Sequence, residues 1–321
     1  MLIAQDLVGF FQFSLLYLTV SIPLVLAYRV TKVINFTVAN YITYGAYTAV
    51  LLDYYMRSSF GHNSLLLTVL LSFMLTGSIA VLSNLAVFKP LTEMRVKGDV
   101  LMIASMGLWI VLKYVLYIVS DIASSACRTN LVSYSQIHYD DISLLTARTG
   151  LVGVQQSLVV FPLLALTSMA ILYLVLNATR VGRAVLAVAD NSLLASLSGI
   201  AVGRVVNLTW FLTAGLISLA GVMWTTYSGA ITPEVGDSLI LQVFTIAFIG
   251  GLASLTRTAA GALLISGVEN FGTDLLSTYL GLPTSIKPML TFIVLLATLI
   301  ASPPLGVAGG VPYRFTRGVR R

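Results

Sequence analysis

Two histidines, one cysteine and twelve acidic residues are all that this 321-residue sequence offers for acid–base, nucleophilic or metal chemistry. Their spacing favours none of it. His62 and His138 have no second ligand or nucleophile at metal-site or triad spacing, and the chain has no H-E-x-x-H, no carboxylate pair at catalytic spacing and no serine or cysteine beside a histidine. It also lacks a G-x-x-x-x-G-K-(S/T) phosphate loop, so no ATP hydrolysis by that route is expected of it. Cys127 is the only cysteine, which excludes an intramolecular disulfide and a cysteine metal cluster. No catalytic residue, metal or cofactor is expected. What remains is recognition chemistry: a polar interruption, "TRVGRAVLAVADNSLLASLSGIAVGR" at 179–204, and the ionisable residues Lys113, Glu269 and Asp274 in or near apolar runs.

The elements that must position these residues follow from composition. Hydrophobic residues make up 58% of the chain and charged ones 9%, with a mean hydropathy of +0.95, which no soluble domain of this length carries. A hydrocarbon core needs roughly 20 apolar residues per helical span. Apolar runs at about 8–28, 38–56, 64–87, 99–120, 157–177, 206–228, 238–254, 259–280 and 286–303 predict an all-α polytopic membrane protein of eight or nine transmembrane helices. A single transmembrane domain over 1–321 is expected, with no room for a soluble one. The opening "MLIAQDLVGFFQFSLLYL" has no basic residue before its apolar run and no cleavage site after it, so it is expected to be the first span rather than a signal peptide.

Threading the runs alternately puts Arg29, Lys32, Lys89, Arg95, Lys97, Arg180, Arg183, Arg204, Arg257, Arg314, Arg317, Arg320 and Arg321 on one side, thirteen of the eighteen basic residues. The other side receives Arg57, Arg128, Arg148 and Lys287 with Asp6, Asp121, Asp140, Asp141, Glu234 and Asp237. The positive-inside rule then predicts an outside N-terminus and a cytoplasmic C-terminus. The net charge of +6 is thus accounted for by orientation in the bilayer, not by nucleic-acid binding.

Two interruptions are longer than turns need: 121–156 outside and 178–205 inside. The outer one is expected to form a short hairpin over the outer mouth or to be a plain connection. In the inner one, Asp190 and Asn191 are good N-cap residues, "NSLLASLS" is helix-competent, and Gly199 supplies a left-handed terminus. Leu193, Leu197 and Ile200 recur at i, i+4 and i+7, an apolar stripe for the protein's own spans, for lipid headgroups or for a partner's groove. Two further breaks, "VINFTVAN" (33–40) and "ITPEVGD" (231–237), precede spans of opposite direction, as an inverted repeat offset by five spans would place them. Irregular backbone at that depth lines a cavity rather than lipid. Lys113 is expected to snorkel, Asp274 to reach water, and Glu269 to face a pathway or to pair with a basic group or helix end.

The sequence also resembles a family. "GRAVLAVADNSLLASLSGIAVGRVVNLTWFLTAGLISLAGVM" is similar to the coupling-loop region of ABC importer permeases of the high-affinity branched-chain amino-acid type, in Arg183-Ala184, Ala189-Asp190-Asn191, Ala195, Gly199-Ile200 and Arg204. Asn35 and Phe36 match an early R-V-I-N-F segment, Lys89-Pro90 and Ser105-Gly107 a later one. Pro233, Gly236, Gly250-Gly251, Gly261-Ala262 and Glu269 match the segments that follow. The resemblance runs in order over about residues 25–310. The chain departs from it at Thr37-Val38-Ala39-Asn40-Tyr41, where His-Gly-Glu is common, and in its G-G-L-A-S-L-T-R-T.

The resemblance implies a type II-like importer permease that pairs with a second homologous permease. Two cytoplasmic ATPases would hold ATP and Mg, and an external binding protein would deliver the amino acid. It places ATPase coupling at Ala189, Asp190, Asn191, Leu193, Leu194, Leu197, Gly199 and Ile200, and the translocation pathway at Asn35, Phe36, Pro233, Gly236, Gly250, Gly251 and Glu269. Related importers handle amides, urea or peptides. An ion-coupled secondary transporter would also use broken helices, but the few intramembrane carboxylates leave it a poor ion site and no purpose for the capped helix.

Overall fold

Without water, a buried backbone must make its hydrogen bonds internally, and each of the nine apolar runs is accordingly helical. The computed structural model describes residues 2–128, 130–148 and 155–301. The basic tail at Arg314, Arg317, Arg320 and Arg321 lies outside them.

In chain order, α1 is Leu2–Thr31, α2 Val38–Phe60 and α3 Leu65–Ser83, which passes through a π-helical turn, Asn84–Phe88, into α4, Lys89–Glu93. Then come α5, Gly98–Cys127, α6, Asp140–Arg148, and α7, Ser157–Ala178. Two short helices, α8 (Arg180–Asp190) and α9 (Ser192–Leu197), precede α10 (Val202–Thr225). The last third holds α11 (Val235–Ile249), α12 (Leu255–Gly267), a second π-helical turn (Val268–Gly272), α13 (Thr273–Leu280) and α14 (Lys287–Ala301).

Six helical stretches among the described residues are long and apolar enough to cross a membrane: Gln5–Thr31, Leu65–Glu93, Gly98–Cys127, Ser157–Ala178, Val202–Thr225 and Thr284–Ala301. The three remaining runs differ for physical reasons. Helix α2 has 23 residues but carries Asn40, Thr43, Thr48 and Asp53, all buried. Helix α11 has 15 residues, about 22 Å at 1.5 Å per residue, short of a ~30 Å hydrocarbon core. The run at 259–280 is divided by the π-helical turn that carries Glu269.

Helices α2 and α10 form the centre. They cross so closely that a Cβ on Gly45 would lie 2.0 Å from the Ser218 carbonyl oxygen, and one on Gly221 2.0 Å from that of Ile42. Around this crossing stand α1, α3, α7, α11 and α12, while α5 and α14 lie outermost with most of their surface open. Helix α5 is tied to the centre chiefly by polar bonds: Asn40 donates to the Trp109 carbonyl at 2.8 Å, Tyr44 to Leu112 at 3.0 Å and Tyr54 to Cys127 at 2.9 Å.

Among its described residues, the outer interruption does not form the hairpin that was one expectation: α5 runs on to Cys127, 130–139 holds a bend and one isolated bridge, and α6 follows. Leu131, Ile137 and Tyr139 are buried, and an isolated bridge pairs Tyr134 with Ile231. Tyr134 also donates to Asp53 at 3.0 Å, and burial, followed by that carboxylate, pushes its phenol up to about 12, so it remains a donor at neutral pH. Asp53 accepts further from Arg57 and Asn63, each at 2.7 Å.

The α2–α10 crossing makes a direct prediction. Gly221→Val is expected to lower stability by about 1–3 kcal/mol through overpacking, whereas Gly107→Ala on α5, where an added Cβ meets nothing within 4 Å, is expected to be neutral. Thermal unfolding of both variants in detergent checks this; equal melting temperatures would show that the crossing has slack.

Candidate functional site

Two places gather the functional residues: the α8–α9 segment and a junction inside the bundle. In the first, Thr179 caps α8 by accepting from the Gly182 amide at 2.9 Å. One face of α8 buries Gly182, Val185, Val188 and Ala189 in an apolar cluster with Ile22, Leu26 and Val30 of α1, Leu172 and Leu176 of α7, and Leu212 and Leu216 of α10. Asn191 then caps α9, its Oδ1 accepting from the Leu194 amide at 3.0 Å, and Gly199 at φ +83° ends the segment. The two caps expected at this point divide their work: Asn191 caps, while Asp190 is the last residue of α8 and sits 3.2 Å from Arg29. Lys32 reaches the Ala189 carbonyl at 3.5 Å.

The apolar stripe differs from the expected one. Leu193, Leu194 and Leu197 are 70%, 61% and 77% exposed, while Ala195 is buried and Ile200 turns back to pack on the protein. The cause is Gly199, whose left-handed backbone reverses the chain after Leu197 and so removes Ile200 from the helical stripe. Sequence reasoning missed α8, although Val181, Val185 and Val188 recur at i, i+4 and i+7 and were the available signal.

The second place is where the two irregular segments meet. Asn35 Oδ1 accepts from the Thr37 amide at 3.0 Å and from its hydroxyl at 2.7 Å. Ser105 on α5 accepts from the Phe36 amide at 3.2 Å, and its hydroxyl donates to the Met102 carbonyl at 2.7 Å with the Ile34 carbonyl next nearest at 3.2 Å. Gly236 donates its amide to Thr43 Oγ1 at 3.0 Å, and its Cα presses so near Ala39 that a Cβ would lie 1.8 Å from the carbonyl oxygen. Phe36 packs on Phe244 at 4.9 Å between ring centroids. Asn35, Phe36 and Gly236 are therefore brought together, with buried Pro233 just before α11.

The other expected pathway residues lie elsewhere. Gly250 and Gly251 form the turn between α11 and α12, Gly251 at φ +65°. Glu269 is buried among α1, α14 and the π-helical turn, accepting from the hydroxyls of Tyr17 and Thr291, the latter at 2.5 Å. Among the described residues its carboxylate meets hydroxyls, not the basic group or helix end considered from sequence.

Lys113 finds its partners within the protein: its ammonium is 2.7 Å from Asp237 and 3.8 Å from Glu234, at the start of α11. Trp109 donates to Asp237 at 2.8 Å. Sequence reasoning missed Asp53 and Asp237 as partners within the bundle; an aspartate within "YTAVLLDYYM" and a lysine within "GLWIVLKYVLYIV" were the available signals.

A family model described as branched-chain amino acid transport system / permease component matches residues 7–299. The chain belongs to this family. A probable branched-chain amino acid transport permease protein LivH of Methanocaldococcus jannaschii is 27% identical over 302 residues, 94% of this chain and 91% of its own length. The high-affinity branched-chain amino acid transport system permease protein LivH of Escherichia coli K12 is 31% identical over 142 residues, 44% of each chain. Its counterpart BraD of Pseudomonas aeruginosa is 30% identical over 138 residues, 43% of each. No solved structure matches the chain. Family and apolar helices together make this permease a multi-pass protein of the cell membrane.

The Glu269 arrangement gives a testable outcome. Tyr17→Phe leaves the buried carboxyl with one hydroxyl donor fewer and is expected to cost about 1–3 kcal/mol, read by denaturation in detergent. An unchanged midpoint would mean that Thr291 suffices.

Proposed function

We propose that this permease is the membrane subunit of an ATP-driven importer for branched-chain or related hydrophobic amino acids, and that α9 docks on a cytoplasmic ATPase. The observation that carries the docking reading is the contrast between α8 and α9. The first is locked into the bundle on one face; the second is capped and holds three leucines out from the protein. Such a knob suits a hydrophobic groove on a partner. Its movement would reach α1, α7 and α10, which share the α8 cluster.

The amino-acid cargo is supported by the named relatives, above all the one matched over nearly the whole chain. On this reading the pore pairs the chain with a second homologous permease. Two ATPases hold ATP and Mg, and an extracytoplasmic binding protein supplies the substrate. The charge distribution supports a cytoplasmic location for α8 and α9. Arg29 and Lys32 meet Asp190 and Ala189, and a cavity of about 430 Å³ joins Lys89 to Arg204, so these basic residues share one end of the bundle. An outside N-terminus and a cytoplasmic C-terminus follow.

Leu193→Asp combined with Leu197→Asp is expected to abolish co-purification of the ATPases while the permease stays inserted and monodisperse. Both side chains are exposed, so the fold should be unaffected. ATPases retained on the double variant would end the docking assignment, and a wild-type chain that binds no ATPase under any nucleotide condition would end the importer reading.

A further inference from the structure

Lys113 lies within the apolar run 99–120 of the thirty-residue α5. Around it the chain assembles a small polar group. Asp237 accepts from Lys113 at 2.7 Å and from the Trp109 indole at 2.8 Å. Glu234 stands 3.8 Å from the same ammonium and accepts from the Tyr117 hydroxyl at 3.3 Å. One lysine and two carboxylates leave a formal charge of minus one. The two carboxylates differ sharply in access: the Asp237 side chain is 22% exposed, that of Glu234 65%.

A carboxylate this open, beside a lysine of an apolar span, cannot face hydrocarbon, where ionisable groups are costly and mark routes for polar cargo. The side of α5 and α11 that carries Glu234 must therefore meet water or a charged ligand. An ammonium has three donors, and Lys113 commits one of them at short range to Asp237. It has capacity for another anion beside the open Glu234.

We propose that Glu234 and Lys113 form a site on the translocation route for the charged head of an α-amino acid, Glu234 taking the ammonium and Lys113 the carboxylate. The inference rests on the importer reading above and goes beyond it by locating the contact. The two protein charges stand next to each other, as do the two charges of a zwitterion, so head-to-tail pairing satisfies both ends with charge-assisted hydrogen bonds. Tyr114 and Tyr117, with ring centroids 6.0 Å apart, offer an aromatic surface beside the charges for an apolar side chain.

The test uses the complete importer in proteoliposomes: this chain, its sister permease, the ATPases and the binding protein, with leucine as substrate. Glu234→Gln keeps the size of an exposed side chain and so leaves folding alone. Uptake per assembled complex is expected to fall by about tenfold, the loss of one hydrogen bond to a charged group, with ATP hydrolysis stimulated by loaded binding protein maintained. Lys113→Arg, which keeps the charge and the Asp237 pair, is expected to retain more uptake than Lys113→Met. Unchanged uptake in Glu234→Gln overturns the site, as does a parallel loss of uptake and ATP hydrolysis or a loss of assembled complex, which would place Glu234 in coupling or against the partner subunit. If wild type itself moves no leucine and stimulates no ATPase, the importer reading fails, a result separate from failure of the site alone.

Discussion

Backbone amides and carbonyls inside an apolar bundle have no water to turn to, and this chain has two segments, 33–37 and 226–234, where helix does not supply their partners. Much of the architecture answers that need. Ser105 serves Phe36, Asn35 serves Thr37, and Thr43 serves Gly236. The stretch 130–139 from the outer interruption is drawn inward for the same reason, Tyr134 and Ile231 exchanging backbone bonds at 3.0 and 2.8 Å. Helix α5 stays attached through side-chain bonds about once per turn from Ser105 to Tyr117 and again at Cys127, although little apolar surface joins it to its neighbours.

Charges within the bundle receive two treatments. Asp53 and Glu269 are closed off and surrounded by donors, which fixes the packing of α2 on the outer segment and of α1 on α14. The group at Lys113 is different, since its second carboxylate is left open. A structural ion pair gains nothing from such exposure, whereas a route for a zwitterion needs an acceptor that is free to exchange partners.

The inner interruption divides into a rigid part and a presenting part. Helix α8 joins the core through valines and a glycine that lets it approach α7, and the Arg29–Asp190 pair, 24% and 74% exposed, adds only modestly to that hold. Helix α9 contributes one alanine to the core and its leucines to the outside. On the docking proposal, force applied to α9 would pass to α1, α7 and α10 through the anchored α8.

The order of the nine apolar runs, the helices they form, the Asn191 cap and the Gly199 terminus were determined by sequence, because each depends on neighbours within a few residues. So was the asymmetry of basic residues, a property of local flanks. The contact of α11 with α5, the partners of Lys113, Asp53 and Glu269, and the insertion of 130–139 were decided only by tertiary structure. Arg57 and Asn63 lie only 4 and 10 positions from Asp53, but its partner Tyr134, Asp237 for Lys113, and Thr291 and Tyr17 for Glu269 lie 22 to 252 positions away. No local pattern encodes which distant donor a buried carboxylate will find; only the packing of whole helices brings the candidates into range.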